Sequence, residues 1–295
     1  MSGSVSTEQR ALTLMYHDVV PAGGWASSGF SGAGADLYKL ELGRFREHLA
    51  AIERAAPGRV AGTVEDPAAW VPAGKQPRSG LPVFLSFDDG GESAFTLIAG
   101  ELEKRGWRGH FFITTSLIGT HGFLTAEQIR ALRGRGHVIG SHSVSHPQRI
   151  SHMPWKDLYR EWAVSVRVLS NILNERVTVA SVPGGFYSER VAQAAIEAGI
   201  RMLFNSEPTT RLRLVGHCTV LGRYFVQRDT PAAIAGAYAA GEWAPRMKQA
   251  ALWRAKRIAK AAGGQTWFRF RQWAIANHGQ QPAPEQTRAE RSRAA

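Results

Sequence analysis

Cysteine is almost absent from this chain: Cys218 is the only one among 295 residues. A single thiol excludes an intramolecular disulfide and a thiolate metal cluster, and it reads as a small buried apolar side chain. Long apolar runs are missing too, since no uninterrupted stretch approaches the ~18 residues that a membrane-spanning helix requires. Met1 to Arg10 is polar, carries an acid, and has neither the basic start nor the apolar run of a secretory signal. These absences predict a cytoplasmic protein. No internal repeat is visible, and the nearest approach to a dinucleotide fingerprint, Gly134-Arg135-Gly136 with Gly140, has the wrong spacing.

Acidic residues are scarce at one end only. From Trp243 onward there are 11 Lys and Arg against 2 Asp and Glu, which accounts for +9 of the net +12. The body, residues 1–242, is nearly balanced and long enough for one large α/β domain. The expected division is therefore a catalytic-type domain over 1–242 and a basic tail over 243–295.

Within the body, apolar strands alternate with amphipathic helices. Ala11 to Tyr16 is a strand, followed by a Gly/Ser/Ala-rich segment, Pro21 to Ala35, which reads as a mobile loop. Leu42, Phe45, Leu49 and Ile52 keep helical spacing. Further strands are expected at Val83 to Phe87, His110 to Ile113, His137 to Gly140, Val177 to Val182 and Arg201 to Phe204. Between them, helices are expected at Glu92 to Arg105, Thr125 to Leu132 with Gln128 in a capping-box position, Trp155 to Leu173, and Glu189 to Ala198. Repeated strand-then-helix units predict a parallel sheet or closed barrel, with function at the loops after strand C-termini.

Two polar motifs fall at such ends. Leu85-Ser86-Phe87-Asp88-Asp89-Gly90 closes one strand with adjacent carboxylates, and His142-Ser143-Val144-Ser145-His146-Pro147 follows another with two imidazoles. Alone, the first is also a common surface turn and the second a solvated serine-rich loop. Together, two histidines and one aspartate suffice for a divalent metal with open coordination positions, and the remaining carboxylate is available as a base. Successive strand residues point to opposite faces, so both aspartates reach one site only if the chain turns, which Gly90 and Gly91 permit.

These motifs resemble those of the polysaccharide deacetylase family (NodB homology, carbohydrate esterase 4), whose Ser/Thr-Phe-Asp-Asp-Gly and His-Ser/Thr-x-x-His-Pro patterns are matched completely. The resemblance extends from about Leu12 to Arg223 and implies a distorted (β/α) barrel. It implies that Asp89, His142 and His146 hold a divalent metal, most often Zn²⁺, and that Asp88 is the general base in removing N-acetyl groups from a glycan. A third family motif, Arg-x-Pro-Tyr/Phe-Gly, aligns with Ser181-Val182-Pro183-Gly184-Gly185, where arginine and aromatic are lost. The arginine that orients the base must then come from elsewhere, with Arg149 and Arg223 as candidates, while the backbone near Gly184 and Gly185 still serves an oxyanion. Tyr187 and Phe186 are candidate aromatic surface, and Glu207, after the Arg201 to Phe204 strand, is a candidate groove residue. No C-terminal Leu-x-His is found. Instead Tyr16-His17-Asp18-Val19 resembles the permuted subgroup acting on poly-N-acetylglucosamine, which implies that His17 is the general acid, with Asp18 keeping it protonated.

Two other functions share these features: an amidohydrolase of the same fold acting on a formyl-sugar or ureide, and a degenerate carbohydrate-binding barrel. In the tail, Met247, Ala251, Ala255, Ile258 and Ala262 form a stripe at helical spacing, followed by Trp267-Phe268-Arg269-Phe270-Arg271. A helix docked on the barrel, peripheral contact with an anionic membrane through residues 245–275, and a nucleic-acid arm are the three readings; no recognisable module supports the last.

Overall fold

A computed structural model describes residues 9–60, 62–65 and 80–257; Ile258, Ala262 and the Trp267 segment of the expected tail lie outside them. The strands are β1 (Leu12–Tyr16), β2 (Val19–Val20), β3 (Leu40–Glu41), β4 (Val83–Phe87), β5 (Gly109–Ile113), β6 (Val138–Ser141), β7 (Val179–Ser181), β8 (Met202–Phe204), β9 (Arg213–Val215), β10 (Cys218–Leu221) and β11 (Tyr224–Phe225). The helices are α1 (Ala33–Asp36), α2 (Leu42–Ala55), α3 (Ala99–Glu103), α4 (Ala126–Gly134), α5 (Trp155–Leu173), α6 (Glu189–Glu197) and α7 (Ala232–Ala240).

β1, β4, β5, β6, β7 and β8 lie side by side in that order, all parallel. β10 adds parallel to β8, with β9 antiparallel at its outer side. Only Gly222 and Arg223 separate β10 from β11, yet β11 pairs with β1. One stretch of chain thus bonds the last strand at its first half and the first strand at its second half, which closes the expected distorted barrel. Gly222 is required at the crossing: a Cβ there would lie 2.3 Å from the Glu207 carbonyl oxygen.

Parallel strands covered on both faces read as continuous apolar runs, and β1, β4 and β5 are buried at every position. Alternation assigns the faces. Leu85 and Phe87 pack outward with Phe45, Leu49 and Ile52 of α2, whereas Phe84 packs with Phe112, Val179, Phe204 and Leu221 in a second cluster inside the barrel. Ser86 and Asp88 continue the inward face of β4.

The capping box at Thr125 and Gln128 forms as expected, and α5 has the expected limits. The helix expected over Glu92 to Arg105 forms, with its first part, Ala94–Ile98, wound as a π-helix that runs into the short α3. Such turns accommodate an extra residue and are frequent at functional sites; this one follows the Asp-Asp-Gly-Gly segment directly. Cys218 is fully buried.

Candidate active site

The turn that aims both aspartates at one site occurs at Asp89 itself (φ 76°) and Gly90 (φ 84°). At Gly90 a Cβ would lie 3.2 Å from the Ile113 Cα. Left-handed backbone at non-glycine residues is uncommon and persists where surrounding structure enforces it. Among the described residues it occurs at Asp89, Ser143, His146 and Asn174. Asn174 caps α5, and the other three all belong to the two motifs.

The histidine loop is held at several points. Ser143 Oγ accepts from the His146 N–H, and the Val144 and Ser145 N–H groups both donate to Glu161 Oε2 at 2.9 Å. Glu161, on α5, was not singled out in the sequence; its only signal there was an acid on a helix that follows the motif. His142 Nδ1 lies 3.0 Å from the Ser181 carbonyl oxygen. A carbonyl only accepts, and the Ser181 hydroxyl, 2.7 Å from Nδ1, donates its proton to Asp88, so Nδ1 carries the proton and Nε2 presents its lone pair.

That lone pair faces Asp89. His142 Nε2 is 3.4 Å and His146 Nε2 is 3.5 Å from Asp89 Oδ1, and this buried oxygen has no hydrogen-bond partner. Two imidazole nitrogens and an unsatisfied carboxylate oxygen, all within 4.8 Å of one another, fit a cation. Ligands bound tetrahedrally at about 2.0–2.1 Å from zinc stand about 3.4 Å apart. Burial pushes the Asp89 carboxyl up, but His142, His17 and His146 outweigh it and hold the group well below the usual carboxylate range. Burial, then His142, pushes His146 down, toward the neutral form that ligates.

Asp88 is the opposite case. Its Oδ1 accepts from Arg223 Nη1 at 2.6 Å and its Oδ2 from Arg223 Nη2 at 2.8 Å, a bidentate pair, and the Ser181 hydroxyl donates to Oδ1 at 3.2 Å. Of the two arginines considered for this role, Arg223 takes it. Fully buried, it also donates to the Asn205 carbonyl and lies over the Phe112 and Phe204 rings. Burial pushes the Asp88 carboxyl up, but Arg223 and then His142 outweigh it and keep the group below its ordinary range. The missing motif arginine is explained sterically: Arg223 Nη2 lies 3.4 Å from the Ser181 hydroxyl, in the space that a side chain longer than serine would need.

His17 stands beside the pair. Tyr16 is in register with Phe87 and accepts from the Asp88 N–H, so His17 is abreast of Asp88, and it is close enough to lower both carboxyls electrostatically. Its ring packs on Tyr38 at 4.7 Å and its Nδ1 is buried without a hydrogen-bond partner. The expected support from Asp18 takes another form. Asp18 Oδ1 accepts from the hydroxyls of Ser28 at 2.6 Å and Ser93 at 2.7 Å, and so ties the Pro21 to Ala35 segment to the Asp-Asp-Gly-Gly turn. The segment read as a mobile loop is pinned there, by Gly29 N–H to Gly122 oxygen, and by Lys39 Nζ to the Trp25 oxygen. It places Phe30 against His146 at 5.3 Å, a neighbour the sequence did not disclose.

The remaining candidates lie along the same rim. Gly184 (φ 60°) and Gly185 (φ 69°) form a tight turn after β7. The Tyr187 hydroxyl accepts from Arg213 and its ring packs against the cluster around α6, so its exposed aromatic surface is smaller than expected. Glu207 lines a cavity of about 280 Å³ with Asn205, Thr209, Arg211 and Arg213. His110 and His137 are buried away from this cluster, with ring nitrogens on the Leu85 oxygen and on Glu103.

A closed parallel barrel with this polar cluster at its strand ends has the NodB-type deacetylase fold. Residues 75–203 match the sequence model of the polysaccharide deacetylase family, so the resemblance carried by the two motifs holds, over somewhat under half of the chain. YxkH of Bacillus subtilis strain 168, provisionally named a polysaccharide deacetylase, is 29% identical over 43% of this chain and 45% of its own length; the chain spans less than half of the curated relatives it matches. Among solved structures, IcaB from Ammonifex degensii (TM-score 0.63, 21% identity, 79% of this chain and 97% of that one) and the Streptococcus pyogenes deacetylase PplD in complex with acetate (0.59, 17%, 77% and 96%) share the fold.

Proposed function

We propose that this chain is a metal-dependent hydrolase that removes N-acetyl groups from an amino sugar of a polysaccharide or lipid-linked glycan. The observation that carries the reading is the division of labour between neighbours: Asp89 has an unsatisfied oxygen facing two imidazole nitrogens, while Asp88 is locked by Arg223. Asp89, His142 and His146 would hold a divalent ion, with Zn²⁺ favoured by the nitrogen-rich donor set and the ligand spacing. When bound, such an ion lowers the pKa of water and polarises the acetyl carbonyl.

The protein groups do the rest. Asp88, ionised at neutral pH, gives Oδ1 to Arg223 and Ser181 but keeps a lone pair on Oδ2 beyond the one given to Arg223, and accepts the proton of the attacking water there. The backbone N–H groups at Gly184 and Gly185, in the turn after β7, would meet the charge that develops on the carbonyl oxygen. As the C–N bond breaks, His17 donates a proton to the leaving amine, and acetate departs. Glu207 and Tyr187 border the glycan groove.

Acetate release from N-acetylglucosamine oligomers by zinc-loaded protein, repeated with Asp88→Asn and His17→Ala, tests the reading. Loss of at least about a hundredfold in each variant is expected. Full activity in His17→Ala would discard the acid assignment; formate release instead of acetate would move the substrate to a formyl-sugar; ligand binding without turnover would leave a carbohydrate-binding barrel.

A further inference from the structure

The helix that begins at residue 243 docks by its polar side chains. Gln249, only 5% exposed, accepts from the Phe225 N–H and donates to the Phe225 oxygen and the Tyr238 hydroxyl, finishing the free side of β11 as a neighbouring strand would. Arg246 donates to the Tyr224 hydroxyl and the Gly241 oxygen. These two, three residues apart, define the inner face.

The apolar stripe therefore points the other way. Trp243 is 72% exposed, Met247 38% and Leu252 50%, and Ala251 and Ala255 are exposed with them. At 100° per residue, Trp243, Met247 and Ala251 lie along one outward line, with the exposed cations Arg254 and Lys248 on either side of it. The sequence that follows adds Lys256, Arg257 and Lys260, and no acid occurs between Trp243 and Glu285. No helix among the described residues is long and apolar enough to cross a membrane.

We infer that this outward face, Trp243, Met247, Ala251 and Leu252 with Lys248 and Arg254, is a docking surface for an anionic lipid bilayer. The chemistry matches an interface on both counts: an indole and a thioether that gain from leaving water without entering the hydrocarbon centre, and flanking cations that find lipid phosphates. A nucleic-acid arm would use the cations and leave the apolar line unexplained, and a second copy of the chain would bring like charges together.

Sedimentation of the full chain with phosphatidylcholine vesicles, and with the same vesicles containing phosphatidylglycerol, tests the inference. Binding is expected only to the second. The Trp243→Ala, Met247→Ala, Leu252→Ala triple variant should lose about tenfold or more, and each of Lys248→Gln and Arg254→Gln about fivefold. All are exposed substitutions, and an unchanged thermal midpoint will show that the fold is intact. Wild-type vesicle binding in the triple variant, binding lost only on truncation after Arg257, a dimer abolished by the triple variant, or oligonucleotide affinity exceeding vesicle affinity would each overturn it.

Discussion

Asp88 and Asp89 are adjacent in sequence and opposite in circumstance. Asp88 lies inside the barrel with both oxygens engaged by a buried guanidinium; Asp89 lies at the rim with a buried oxygen that has no hydrogen-bond partner and faces two imidazole nitrogens. The first is a carboxylate whose position and charge are already paid for by protein. The second has the free oxygen that the proposed cation would take. Burial opposes ionisation in both and is outweighed in both, so the contrast lies in what the charge is held by, and the proposed reading assigns the ligand and the proton acceptor from it.

The comparison breaks first if the roles can be exchanged. Asp88→Asn should cost about 10²- to 10⁴-fold in amide hydrolysis and leave zinc affinity within a few-fold, by turnover and metal titration; loss of zinc with Asp88→Asn would reverse the assignment. Next in size is the buried pair. Arg223→Met leaves Asp88 charged and uncompensated, and should destabilise the fold by about 3–5 kcal/mol in urea unfolding. The double variant with Asp88→Asn should recover much of that, because the orphaned charge is gone.

Zinc at a hundredfold excess over its Kd should then add about 2.7 kcal/mol to wild-type stability and none to Asp89→Ala, by thermal unfolding with and without chelator. In metal-free protein Asp89→Asn, which gives up the contacts of Oδ1 with the His142 and His146 nitrogens, should destabilise the fold less than Arg223→Met does, by urea unfolding. The smallest effect is one of pH. The Asp88 carboxyl is depressed in the fold, so its contribution is present above the unfolded value of about 3.9 and lost as pH falls through the lower folded value. Below about pH 4 the stability of wild type should therefore fall more steeply than that of Asp88→Asn, and parallel curves would count against a depressed Asp88.

The fold was legible wherever pattern is local. α5, the strand before Asp88 and the Thr125 cap were all expected from periodicity and end signals. β9, β10 and β11 were not, because short edge strands after Phe204 carry too few residues to show a period, and closure depends on Gly222 and Arg223 separating two pairings. The tail stripe was legible as a helix face, but its direction was not. Only the Gln249 and Arg246 contacts decide that the apolar side faces out.

What the sequence determined by itself is which polar groups stand at the strand ends, Asp88, Asp89, His142 and His146, since each motif is a run of neighbours whose backbone must turn. What only the tertiary structure decided is how those groups are held. Arg223 meets Asp88 across 135 residues of chain, Glu161 clamps the histidine loop, and Phe30 lies on His146. An arginine after β10 can hold Asp88 because a carboxylate responds to the position of a positive charge and not to its place in the chain, and barrel closure brings the end of β10 as near to Asp88 as Ser181 at the end of β7.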